Sequence, residues 1–163
     1  MRVYVSRFGN PELWKGTYTA VRISLGTPKW DVGYKIYGEF KNLMPFGLLN
    51  KYEDYEPFKR EYFQRLDRVG IGRIRSELDS WKRFNQDVVL LCYEDIRKGP
   101  TNWCHRTAFA EWWKLKTGET LEELPDPSNF TPIGSTSPSK VVKEEKPIPV
   151  LAAARHHSYP VGW

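Results

Sequence analysis

The chain has 163 residues and a formal net charge of +5, which is long enough for one ordinary core and short for two, so a single main domain is expected. Aromatic residues make up 15% of it, with 7 Trp, 9 Tyr and 8 Phe; this exceeds the needs of a core of that size and assigns some rings to a groove or surface patch. No apolar run approaches the roughly 20 residues that span a bilayer, the opening MRVYVSRFGN lacks the charged-then-apolar order of a secretion signal, and only two cysteines are present, so the expectation is a cytoplasmic protein with reduced thiols and no membrane partner.

Val3 and Val5 alternate with polar neighbours and lead into Gly9-Asn10-Pro11, which predicts a strand followed by a turn. YTAVRISLG predicts a second strand, closed by Gly26-Thr27-Pro28. The stretch from Trp30 to Leu49 mixes aromatics and glycines without a clear period, and a helix from Tyr37 to Leu43 is one expectation for it. Phe58, Tyr62, Phe63, Leu66 and Val69 then recur at helical spacing, and Ile71, Ile74, Leu78 and Trp81 repeat the pattern, so two amphipathic helices follow. Val88 to Cys92 is apolar or thiol throughout with no alternation, which reads as a short strand buried on both faces. After a loop, Thr101 or Asn102 is the expected cap of a helix that starts near Trp103 and that Gly118 can end.

Strands separated by helices predict an α/β fold, a small and mainly parallel sheet flanked by helices, over residues 1–124. Residues 125–163 are rich in Pro, Ser and charge and lack periodicity, so they read as a C-terminal tail, partly extended or disordered. Its end, LAAARHHSYPVGW, carries enough apolar and aromatic groups to dock.

In open α/β sheets the ligand crevice lies beyond the carboxyl ends of the strands. The segment VVLLCYEDIRKGPTNWCHRTAFAEWW places Cys92, Glu94, Asp95, Cys104, His105 and Arg106 at that location. A helix N-terminus presents free N–H groups and partial positive charge, so Arg106 in its first turn suits a phosphate or carboxylate. The alternative is a structural ion pair of Arg106 with Glu94 or Asp95. Cys104 sits where the helix dipole and Arg106 favour a thiolate, with His105 as a base, although adjacent helical residues point about 100° apart; two ordinary buried cysteines are the alternative. Metal binding needs Cys92, Cys104 and His105 to converge, with His156 or His157, and that spacing matches no standard zinc pattern, so no metal or cofactor is expected. Glu94, at the end of an apolar strand and beside Tyr93, is the candidate for proton transfer, or else a cap for the following helix.

Arg7 and Arg22, with Ser6 and Ser24, form a second basic group at the ends of the first two strands. If those strands run parallel to the central one, Arg22 and Arg106 approach one phosphate; a buried salt bridge of Arg22 is the alternative. Lys59, Arg60, Arg65, Arg68, Arg73 and Arg75 on the two middle helices supply a possible nucleic-acid face.

A buried strand ending Cys92-Tyr93-Glu94, then a loop, then Cys104-His105-Arg106 opening a helix, resembles the signature of the family catalogued as domain of unknown function 488. Val21, Arg22 and Pro28 resemble its Val-Arg segment with a following Pro, while Ala20 stands where many members carry Asp. The resemblance covers roughly residues 1–124. It implies a small α/β domain with a polar pocket built from these motifs, and it supplies no substrate.

These residues lead to two expectations. One is an enzyme on a nucleotide or nucleic-acid substrate, a hydrolase or glycosidic-bond-cleaving enzyme, with catalytic Glu94, Cys104 and His105, phosphate held by Arg7, Arg22, Ser24 and Arg106, and Cys92 and Asp95 completing the pocket. The other is a module that binds nucleic acid or a nucleotide without turnover, using the same arginines and aromatics.

Overall fold

The fold comes from a computed structural model that describes residues 1–129. Strands β1 (Val3–Arg7), β2 (Tyr18–Arg22), β3 (Ile36–Glu39), β4 (Asp87–Cys92) and β5 (Glu122–Glu123) form one five-stranded sheet in the order β3-β2-β4-β1-β5. Every neighbouring pair is parallel. Helices α1 (Tyr55–Val69), α2 (Ile71–Trp81) and α3 (His105–Thr117) complete an α/β fold of the class the sequence predicts. Among the described residues no helix is long and apolar enough to cross a membrane.

β4 is central, and its unbroken apolar run has the physical cause inferred for it. Val88, Val89, Leu90 and Leu91 are all 0% exposed because both faces of the strand are covered. The two-residue period of a strand then sorts them. Val88, Leu90 and Cys92 join the core built with Phe58, Tyr62 and Leu66 of α1, Ile74 and Leu78 of α2, and Phe109, Trp112 and Trp113 of α3. Val89 and Leu91 join a second core with Phe8, Leu13, Ala20 and Leu124 on the other face. The helices therefore lie on the face toward which Cys92 points. Much of the aromatic surplus is used here, since Trp112, Trp113 and Tyr62 are among the largest fully buried side chains.

Two local expectations need correction. Tyr37–Leu43 is not a helix: its first part belongs to β3, and only Lys41–Leu43 makes a 3-10 turn. The reason lies at Gly38, where an added Cβ would stand 2.5 Å from the ring of Trp81, so α2 closes over this edge strand only because position 38 has no side chain. The cap of α3 is neither Thr101 nor Asn102 but Cys104, in extended backbone. Asn102 is already engaged, its backbone N–H donating to Gly99 O and its side-chain amide to Asp95 O. At the other end Gly118 closes the helix in the left-handed conformation, φ 76°, as its residue type predicts.

Hydrogen bonds to the domain continue past Leu124 among the described residues. Asn10 Nδ2 donates to Leu124 O at 3.3 Å and to Pro125 O at 3.2 Å, and Asp126 and Ser128 bond Arg7. The rest of the Pro- and Ser-rich tail, with His156 and His157, lies outside the described residues.

Candidate functional site

Because all strands are parallel, their carboxyl ends share one edge of the sheet, and the candidate side chains gather there. Alternation continues for a step beyond β4. Tyr93 turns to the face away from the helices, against Phe8 and Trp30 at ring-centroid distances of 4.9 and 5.9 Å. Glu94 returns to the side of Cys92, whose thiol donates to Glu94 Oε2 at 3.1 Å. Glu94 does not cap α3, which has no side-chain cap bond, while Asp95 caps the intervening turn Ile96–Lys98 by accepting from Arg97 N.

Cys104 and His105 arrive from the start of α3 and meet Cys92 and Glu94. His105 Nδ1 lies 3.4 Å from Cys92 Sγ and 3.9 Å from Cys104 Sγ. Its Nε2 is 2.9 Å from the carbonyl oxygen of Ile23, which can only accept, so Nε2 carries a proton while Nδ1 faces the thiols. All three residues are buried. Burial pushes the Cys92 thiol well up, helped by its bonds to Cys104 and Glu94. Burial also opposes ionisation of Cys104, but the bond from Cys92 and the nearby His105 and Arg106 outweigh it and hold that thiol well below the usual range. Glu94 is raised, first by burial and then by Cys104. Tyr93, on the opposite face, is not what desolvates it.

The arginines behave differently from the expectation of a shared phosphate clamp. In β2, Ala20 belongs to the core on the helix-free face, and Arg22 has the same parity, so its guanidinium emerges on that face. There Nη1 donates to Ser24 O at 2.7 Å and Leu25 O at 3.0 Å, while Nη2 pairs with Glu39 of edge strand β3. The Ser24 hydroxyl donates to Gly26 O at 2.7 Å. Arg106 sits among the helices and pairs not with Glu94 or Asp95 but with Glu123 of the opposite edge strand, Nη2 to Oε1 at 2.8 Å. Arg22 and Arg106 thus do not meet at one ligand.

Arg106 is 0% exposed, and its Nη1 has no hydrogen-bond partner among the described residues. Burial disfavours its charge, but Cys104, Glu123 and Cys92 together keep it ionised. It therefore acts as a fixed positive charge behind the thiols rather than as a hand for solvent-borne anions.

Arg7 is engaged too, its Nε bonded to Asp126 Oδ2 at 2.7 Å and 3.7 Å from Asp95 Oδ2. Asp95 accepts a forked pair of bonds from Arg97 Nε and Nη2, both at 2.8 Å. Those Arg97 bonds hold the Asp95 carboxyl down at about 2. A carboxyl depressed in the folded state contributes stability that is complete above its unfolded value of about 3.9 and is lost as pH falls through the folded value. Urea unfolding should therefore show the wild-type chain more stable than Asp95→Asn at pH 5, with the gap closing between about pH 4 and pH 2. A gap independent of pH would mean that the loop, not the charge, carries the difference.

Cys104, His105 and Glu94 line a pocket of ≈ 260 Å³ whose walls include Tyr52, Phe58 and Trp103. The sequence did not reveal the wall from the segment before α1, which has no period to read. Trp103, directly before Cys104, is the available signal, and it packs on the core through Phe58 at a ring-centroid distance of 4.7 Å. Of the proposed nucleic-acid face, Lys59 pairs with Glu111, Arg75 with Glu119, and Arg65 donates to the carbonyls of Met44 and Phe46. Comparison with family models, curated proteins and solved structures finds no match for the chain.

Proposed function

We propose that the protein is an enzyme that hydrolyses a nucleotide or nucleic-acid substrate, with a base ring in the aromatic pocket and Glu94 orienting the attacking water. The observation that carries this reading is that Glu94 shares one pocket with Tyr52, Phe58 and Trp103 and with the buried Cys104 and His105. Aromatic walls suit a planar ring, and a carboxylate lining the same pocket suits water activation. The three arginines expected to hold phosphate in either reading, Arg7, Arg22 and Arg106, are each tied to a carboxylate, so the reading rests on the pocket and not on them. The resemblance to the domain of unknown function 488 family supports the location of the centre, since its Cys-x-Glu and Cys-His-Arg motifs are the residues that meet.

The test is direct. Nucleosides, nucleotides and short single-stranded oligonucleotides are incubated with the full chain, and free base, phosphate and ammonia are measured. One of these products should accumulate catalytically. Trp103→Ala should weaken substrate binding by about 1 to 3 kcal/mol, the worth of one base-aromatic stack. Equal affinity in that variant would remove the base from the pocket.

A further inference from the structure

We infer that Cys92, Cys104 and His105 form a binding site for zinc, with the fourth position open to the pocket beside Glu94. Their donor atoms all lie within 4.8 Å of one another. Zinc at about 2.3 Å from sulfur and about 2.0 to 2.1 Å from nitrogen, in a tetrahedron, separates a sulfur from a nitrogen donor by roughly 3.5 Å. The two sulfur-to-Nδ1 distances here are 3.4 and 3.9 Å, both within about 0.4 Å of that separation.

The imidazole is oriented for this task. Donation of its Nε2 proton to Ile23 O fixes the tautomer that aims Nδ1 inward, which is the outer-shell bond that metal-binding histidines commonly make. Two thiols and an imidazole form a soft donor set, which selects zinc over magnesium or calcium. Burial adds a reason of its own. Two thiolates in a dry site need compensating charge, and a divalent ion provides it where Arg106 is already shared with Glu123.

Three protein ligands with an open fourth place are the pattern of catalytic rather than structural zinc. Cys104 and His105 line the pocket, as does Glu94, whose Oε2 is 3.1 Å from Cys92 Sγ and so stands beside the donor set. A water held there loses a proton more readily, and the Glu94 carboxylate is the group next to it that can receive that proton. The site stands on its own donors; its use in hydrolysis rests on the function proposed above.

Cobalt(II) is the probe. The reduced, chelator-treated full chain is titrated with cobalt and then with zinc. The expected result is a single equivalent of cobalt with a thiolate charge-transfer band and the intense visible bands of a tetrahedral site, both removed by zinc. Cys92→Ser and Cys104→Ser should weaken zinc binding by more than the ~10 to 100-fold that loss of an outer-shell partner causes. Glu94→Gln should keep the cobalt spectrum. The wild-type titration needs no variant to fold. A folded, reduced wild-type chain that leaves cobalt in its aqueous octahedral form, with both thiols modified equally fast with and without zinc, overturns the site. Zinc binding without hydrolysis would support the site and remove the proposed reaction, whereas hydrolysis by metal-free protein would support the reaction and remove zinc from it.

Discussion

Glu94→Gln should lower turnover by roughly 100-fold or more while substrate affinity stays nearly unchanged. Gln keeps the size of Glu and can still accept the bond from the Cys92 thiol, 3.1 Å away. What it cannot do is take up a proton. The separation of turnover from affinity is therefore the diagnostic, because loss of a wall of the pocket would weaken both together. A purely structural Glu94 predicts a different pair of readings, a lower melting temperature and unchanged turnover per folded molecule. Steady-state kinetics and thermal melts on the same two proteins separate these cases.

The second large effect concerns the ion pair of Arg106 with Glu123. The side chain of Arg106 is 0% exposed and that of Glu123 is 37% exposed, so the two partners differ in what happens when each is left alone. Glu123→Gln strands a buried guanidinium that water cannot reach, and should destabilise the fold by about 3 kcal/mol. Arg106→Met removes the buried charge, fills much of its volume and leaves a carboxylate that can turn to solvent, so its effect should be no more than about 1 kcal/mol. Denaturant midpoints of the two variants test the asymmetry. If Arg106→Met is the more damaging, the guanidinium is held by more than Glu123, and the thiols beside it are the remaining negative charge.

The sheet and helices were legible because their signals are periodic. β4 announced itself by five residues without alternation, and α1 and α2 by apolar residues at helical spacing. The meeting of Cys92, Glu94, Cys104 and His105 was legible as well, since strand, loop and helix follow one another in the chain. What could not be read is partner choice. Whether Arg106 bonds Glu94, Asp95 or Glu123 depends on β5, a strand of two glutamates with no sequence signal at all. The fate of Arg22 depended on which face of β2 it takes, and that parity is fixed only once Ala20 and Val21 are assigned to their cores. Zinc spacing rules do not anticipate the meeting of Cys92, Cys104 and His105 for a similar reason. They describe ligands close in sequence, whereas Cys92 reaches His105 through the junction of β4 with α3.

The position of β4 between β1 and β2 also sets a timetable for synthesis. A growing chain that has reached Gln86 already contains β1, β2, β3, α1 and α2, yet β1 has no strand to pair with, since its neighbours are β4 and β5. Val3 must wait for Val88, its partner across the ladder. More than half of the 163-residue chain is therefore made before β4 can join the first and second strands, a long-range closure of the sort that slows folding and leaves apolar strands open to wrong partners. The late segment that ends this exposure also delivers Cys92 and Glu94, so the ground on which Cys104 and His105 of α3 meet them exists only once the two halves of the sheet are joined.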